Sequence, residues 1–247
     1  MQNRDPPFTM MRWLRLVLDA VFPADCEACG APLTAGERSC VCAQCRGAMR
    51  PVPEPACTSC GAPLASTNSC SSCLRHPPAF TTARAAALYL PSATGLNPLA
   101  SAIQALKYRG RRGVADALGA LLAERYPYDA DAVLVPIPLH LTRLRARGFN
   151  QAALLARALA RRRGLTVASR LLARTRPTPA QAGLTASARR RNLHDAFAVR
   201  PREEIPDRPI VLVDDVLTTG ATADACARAL LAAGAARVAV YTVGRAP

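Results

Sequence analysis

From about residue 80 onward, short apolar runs alternate with longer stretches of helical spacing. Ile210-Val211-Leu212-Val213 is unbroken and rich in β-branched residues, which predicts a parallel strand buried on both faces. Ala132-Val133-Leu134-Val135-Pro136-Ile137-Pro138 predicts a second strand, stopped by its prolines. Residues 83–90 and 237–243 predict two more, and 196–199 a short one before Pro201. Helical spacing covers 98–108, 114–125, 151–163 and 223–233. Pro98 suits a first helical turn and Gly234 a helix end. Strands alternating with helices predict an α/β fold, a mostly parallel sheet with flanking helices.

Two stretches stand apart from this rhythm. Residues 174–192 hold few large apolar side chains beyond Leu184 and predict a mobile loop running into a short helical turn. Near the start, Met10 to Val21 predicts a short amphipathic helix. Its apolar run is interrupted by Arg15 and Asp19 and is too short to span a bilayer. With no small-residue cleavage site after it, it does not read as a signal peptide. Asp25 before Cys26 argues against a lipoprotein. The expectation is a cytoplasmic protein without a transmembrane segment.

Between them lies a cysteine-rich region. Cys26-x2-Cys29, Cys42-x2-Cys45, Cys57-x2-Cys60 and Cys70-x2-Cys73 are four C-x-x-C knuckles within fifty residues. A knuckle presents two thiolates to one metal, and two knuckles complete a tetrahedral zinc shell. Ala31-Pro32-Leu33 recurs as Ala62-Pro63-Leu64, each after a glycine that follows a knuckle, so the segment looks duplicated. Two zinc ions are expected, on Cys26/Cys29/Cys42/Cys45 and Cys57/Cys60/Cys70/Cys73. Spacing leaves interleaved pairing open, and Cys40 competes with Cys42. Disulfides would suit a secreted chain better. Four thiolates leave no open position, so the zinc should be structural. The expected organisation is a helix over 1–24, a zinc module over 25–78 and an α/β domain over 79–247.

The 247 residues carry a net charge of +15, which asks for acidic partners such as phosphates or nucleic acid. The basic residues are nearly all Arg; Lys107 is the single Lys, and it marks a weak candidate site. Aromatic residues make up 4%, too few for many base-stacking platforms.

The candidate chemistry centres on the strand at 210. It runs into Asp214-Asp215-Val216-Leu217-Thr218-Thr219-Gly220-Ala221-Thr222 and then a helix. A helix N-terminus offers N–H groups and a positive dipole end to an anion. Thr218, Thr219 and Thr222 add hydroxyls, and Gly220 lets the backbone approach closely. The two carboxylates stand where a sugar's hydroxyls or a magnesium ion needs acceptors. The strand at 132 likewise leads into a basic loop with Arg143, Arg145 and Arg147, able to clamp a pyrophosphate. His140 ends that strand, His194 follows an Arg run and His76 follows the last knuckle. Each is also readable as an ordinary surface or capping residue.

The order of these pieces resembles the ComF-type competence family, whose members join a zinc-ribbon-like region to a type I phosphoribosyltransferase-like domain. The specific pieces are Arg147-Gly148-Phe149-Asn150-Gln151 and Val213-Asp214-Asp215-Val216-Leu217-Thr218-Thr219-Gly220-Ala221-Thr222. The resemblance implies binding of 5-phosphoribosyl-1-pyrophosphate (PRPP) with magnesium. Asp214 and Asp215 would hold the ribose hydroxyls and residues 216–222 the 5-phosphate. Pro136, Arg143 and Arg147 would face the pyrophosphate, and Lys107 is a weak further candidate for the PRPP site. Arg189 and Arg190, in a segment like the family's closing loop, would join the two Asp residues in catalysis.

What the resemblance implies about activity is transfer of the phosphoribosyl group with release of pyrophosphate, linked to DNA uptake. No base-recognition segment is evident. Two other classes therefore stay open: a PRPP-dependent accessory that handles single-stranded DNA, and a PRPP-sensing regulator. Other competence proteins are possible partners. For DNA phosphates, Arg161, Arg162 and Arg163 with Arg109, Arg111 and Arg112 are the candidates.

Overall fold

The computed structural model describes residues 24–34, 39–66, 68–90, 97–176 and 195–247. The predicted helix over 10–21 and most of the predicted loop at 174–192 lie outside these residues, as do Arg189, Arg190, Arg191 and His194.

The elements in chain order are α1 (Ala43–Gly47), α2 (Ser71–Arg75), β1 (Ala83–Leu88), α3 (Pro98–Tyr108), α4 (Val114–Glu124), β2 (Val133–Pro136), α5 (Leu141–Arg147), α6 (Gln151–Arg163), β3 (Thr166–Val167), β4 (Leu172–Arg174), β5 (Phe197–Val199), β6 (Ile210–Leu217), α7 (Ala221–Ala232) and β7 (Val238–Arg245). A five-stranded sheet has the order β1-β7-β6-β2-β3, and every pair in it is parallel. β4 and β5 form a separate antiparallel pair.

The sheet buries both faces, so its central strands carry no polar residue until the site. On one face Leu106, Leu118, Leu122, Leu155 and Leu159 of α3, α4 and α6 cover Val211, Val213 and Tyr241. On the other, Cys226, Ala227 and Leu230 of α7 pack with Phe197, Leu212 and Val240. The chain leaves β2 toward β3 but leaves β6 toward β7, in opposite directions along the sheet. Right-handed crossovers then put α6 and α7 on opposite faces, and a crevice opens between the ends of β2 and β6.

Several predicted boundaries are corrected. The basic loop after β2 is the helix α5. His140 caps it by accepting from the Thr142 N–H, and Gly148 closes it in the left-handed region at φ 76°. Leu, Arg and Ala are good helix formers, so these caps suffice to wind seven residues. β6 runs on to Leu217 and α7 starts at Ala221, so Ala221 and Thr222 are first-turn residues instead of loop. β7 continues to Arg245, paired along β6 to Leu217. β3 and β4, of two and three residues, had no prediction; they are too short to show a period.

Candidate functional site

The two metal-ligand clusters assemble from duplicated hairpins. In the first, Cys26 N–H donates to Ala31 O and Gly30 N–H to Cys26 O; in the second, Cys57 N–H donates to Ala62 O and Gly61 N–H to Cys57 O. Gly30 and Gly61 stand at φ 76° and 65°, the left-handed turn that a glycine accommodates without strain. The second knuckle of each pair opens a short helix, α1 or α2, with Cys42 or Cys70 as its cap. Within each quartet, Cys26/Cys29/Cys42/Cys45 and Cys57/Cys60/Cys70/Cys73, the sulfurs lie within 4.8 Å of one another.

Tetrahedral zinc with sulfurs at about 2.3 Å places them about 3.8 Å apart. Cys29–Cys42 at 4.0 Å and Cys60–Cys70 at 3.7 Å fit that shell. Burial opposes ionisation of Cys26 and Cys57. The N–H groups of Cys42, Ala28 and Cys29 outweigh it at Cys26, and those of Cys60, Cys70 and Ser59 at Cys57. These thiols are held at about 7 and about 6, ready to ligate. The pairing is sequential, not interleaved. Cys40 stands outside the shell: its carbonyl accepts from Glu27 N–H, and its sulfur faces Gly113.

The second site is the crevice at the ends of β2 and β6, a cleft of about 220 Å³. Its floor carries Asp214 and Asp215. One wall is Thr218 to Thr222, wrapping into α7. Gly220, the N-cap of α7, takes φ 78° and has no side chain to cap the helix; Thr219 Oγ1 accepts from the Ala221 N–H only at 3.5 Å, so the first turn faces the cleft with its backbone donors. The opposite wall brings Lys107 and Tyr108 from α3, Arg143 and Arg147 from α5, and Gln151 from α6. Arg174 of β4 closes one side.

Most predicted residues of this site therefore meet. Pro136 does not; it is buried in β2, and Ile137, Pro138 and Leu139 form the rim instead. Arg145 does not, because α5 is a helix: Arg143 and Arg147, four residues apart, share a face and Arg145 turns away. His140 is a cap and His76 is not a ligand of the second quartet. Tyr108, one of the few aromatic residues the sequence offers for stacking, also lines the cleft, whereas Gln151, Arg174 and Thr242 had no place in the predicted site. Arg147 donates to Gln151 Oε1 at 2.6 Å and lies over the Tyr108 ring, 5.6 Å from its centre.

The floor is electrostatically divided. Lys107 Nζ is ion-paired with Asp215 Oδ2. Burial resists ionisation of Asp215, but the Lys107 charge overcomes it and holds this carboxyl below the usual range. Among the described residues Asp214 has no ion-pair partner. Burial and then the Asp215 charge push it well above the usual range. Burial, then the nearby Arg143 charge, lowers the pKa of Arg174. Two adjacent carboxyls pushed in opposite directions and a ring of cations suit a polyhydroxylated, highly anionic ligand.

The six arginines predicted for DNA are all engaged within the chain. Arg161 and Arg162 pair with Asp116, and Arg163 lies over Tyr126. Arg109 and Arg111 meet Glu27, while Arg112 lies over Phe149.

Two cysteine quartets on zinc-ribbon hairpins, joined to a parallel sheet with an acidic pair and a phosphate-type loop, define a double zinc ribbon coupled to a phosphoribosyltransferase domain. Comparison with known families agrees: residues 17–74 match the double zinc ribbon domain and 144–247 the phosphoribosyl transferase domain. The chain is similar to the DNA utilization protein YhgH of Escherichia coli strain K12, at 35% identity over 90% of this chain and 97% of that one. It matches YhgH of Salmonella typhimurium at 34%, with the same shares covered. It also matches Competence protein F of Haemophilus influenzae at 31%, over 72% of this chain and 78% of that one. The chain belongs to this ComF-type family.

Proposed function

We propose that the cleft binds PRPP with magnesium and that the protein transfers the phosphoribosyl group with loss of pyrophosphate. The observation that carries this reading is the division of the cleft. The N-terminal turn of α7 with Thr218, Thr219 and Thr222 lies on one side of the Asp214–Asp215 floor, and Arg143, Arg147 and Lys107 on the other. A sugar bearing a phosphate at one end and a pyrophosphate at the other matches that order. The carboxylate oxygens are hard donors that suit magnesium. When bound, magnesium would neutralise charge on the leaving pyrophosphate. Arg143 and Arg147 would add to that neutralisation as the C1–O bond breaks and the ribose takes on oxocarbenium character. Asp214 and Asp215 would orient the ribose through its hydroxyls. Arg189 and Arg190 are assigned by the family resemblance to a closing segment that would exclude water.

The test is calorimetric titration of PRPP–Mg into the zinc-loaded protein, followed by pyrophosphate release with a panel of nitrogen acceptors. Absence of PRPP binding at millimolar concentration would overturn the reading.

A second reading has PRPP held without turnover, in a protein that handles single-stranded DNA beside other competence proteins. Two observations favour it. Tyr108 is the one aromatic residue lining the cleft among the described residues, a sparse platform for a base acceptor. The relatives are named for DNA utilization and competence. PRPP binding without pyrophosphate release would select this reading, and salt-dependent binding of an oligonucleotide would test its DNA arm. A cytoplasmic location accords with cysteines that form no disulfide. Among the described residues no helix is long and apolar enough to cross a membrane.

A further inference from the structure

We infer that Arg245 is a positioning residue that ties the shape of the phosphate loop to the zinc-held second ribbon. Arg245, the last residue of β7, is 6% exposed. Its Nη1 donates to Leu217 O at 3.1 Å and Thr218 O at 2.9 Å, the carbonyls that open the 217–222 loop. Its Nε donates to Cys60 O at 3.0 Å, and its Nη2 approaches Cys60 Sγ at 3.6 Å. One planar guanidinium thus bridges a ligand of the second quartet and the backbone of the loop. The fork fixes both partners in one plane, which a flexible ammonium cannot do.

A second arm grips the same loop from its far end. Ala79 N–H, just after the ribbon's exit prolines, donates to Asp224 Oδ1 at 2.6 Å in the first turn of α7. Phe80 follows, and its ring lies 3.7 Å from where a Cβ on Gly220 would stand. The knuckle itself is stitched to β1: Ala83 N–H donates to Ser59 O, and Arg84 to Thr58 O. Zinc in the second quartet therefore holds Cys60 where Arg245 needs it. The first ribbon instead meets α3 and α4, through Glu27, Met49 and the apolar core.

The loop's rigidity then depends on zinc in one ribbon and not the other. The consequence for PRPP rests on the proposed function, whereas the coupling itself does not. The test uses full-length, zinc-loaded protein and three variants: Arg245→Lys, Cys73→Ser and Cys29→Ser. Cys73 makes no hydrogen bond to Arg245 or the loop among the described residues, so it perturbs the coupling from the metal side. Amide hydrogen exchange over 217–222 is measured without ligand, beside zinc content and exchange over 151–163 as a check of folding. The expected result is exchange about tenfold faster or more in Arg245→Lys and Cys73→Ser, with the Cys29→Ser loop within about twofold of wild type. Wild-type exchange in Cys73→Ser, or equal loosening in Cys29→Ser, overturns the inference even if Arg245→Lys fails to fold. Where PRPP–Mg binds, its affinity should fall about tenfold in the first two variants and not in the third. If wild type binds no PRPP yet the exchange pattern holds, the coupling stands and the ligand assignment falls.

Discussion

Lys107 and Asp215 form an ion pair on the cleft floor, with one side of the Lys ammonium open to the cleft. The pair settles how two adjacent buried carboxyls coexist. Lys107 compensates one, and the other is held well above the usual carboxylate range. Removing the cation would leave two buried acids competing for the same proton.

The raised value of Asp214 sets a direction for pH. A carboxyl whose folded value lies above its ordinary 3.8 stabilises the fold at low pH. That contribution is lost as pH rises through the folded value, because the unfolded chain binds fewer protons there. Asp214→Asn keeps the shape without the titration. Denaturant unfolding across pH 4 to 9 should show the variant gaining on wild type as pH rises. An unchanging difference would mean that Asp214 is ionised throughout. PRPP–Mg binding, needing a charged acceptor here, should release a proton wherever Asp214 still holds one in the free protein. Calorimetry in buffers of different ionisation enthalpy reads this directly.

Charge at the acidic pair and on α5 should govern affinity for PRPP–Mg. Asp214→Asn with Asp215→Asn should weaken binding more than about tenfold, since hydrogen bonds to charged groups are worth roughly 1.5–3 kcal/mol. Arg143→Gln with Arg147→Gln should do the same, whereas Arg145→Gln, on the far face, should leave affinity within about twofold. An Arg145 effect equal to the others would contradict the helical placement of this segment.

Zinc content discriminates the cysteines. Metal analysis should find about two zinc per chain. Cys42→Ser should lose about one, while Cys40→Ser should keep both, because only the carbonyl of Cys40 serves the hairpin. Chelation should unfold the ribbons, seen as loss of exchange protection over 26–33 and 57–64.

Gly119 lets α4 approach α6 closely at Ala158. A Cβ there would stand 2.3 Å from the Ala158 Cβ, an impossible contact in a packed core. Gly119→Ala should cost about 1–3 kcal/mol by chemical denaturation. Ala158→Gly in that background should recover part of the loss. A neutral Gly119→Ala would show that the two helices can separate at little cost.

Much of this protein was legible in its sequence. The run from Ile210 to Thr222 declares a buried strand, an acidic pair and a phosphate-type loop, because each needs particular residue types in adjacent positions. The knuckles at Cys26, Cys42, Cys57 and Cys70 declare their metal, because a thiolate pair on a tight turn is a local object. Helix α6 is legible to the residue, since its caps at Asn150 and Gly164 are themselves local. What the tertiary structure decided is which distant groups face one another. That Lys107 neutralises Asp215, that Arg174 closes the cleft, that Cys40 is left out and that Arg245 reaches Cys60 follow from the order in which strands lie beside each other. The Arg-rich stretch after His140 also needed the fold: its basic residues read equally as loop or helix until its caps were in place. Spacing along a chain sets the period of an element, but partners across a sheet are set by topology, which no local pattern encodes.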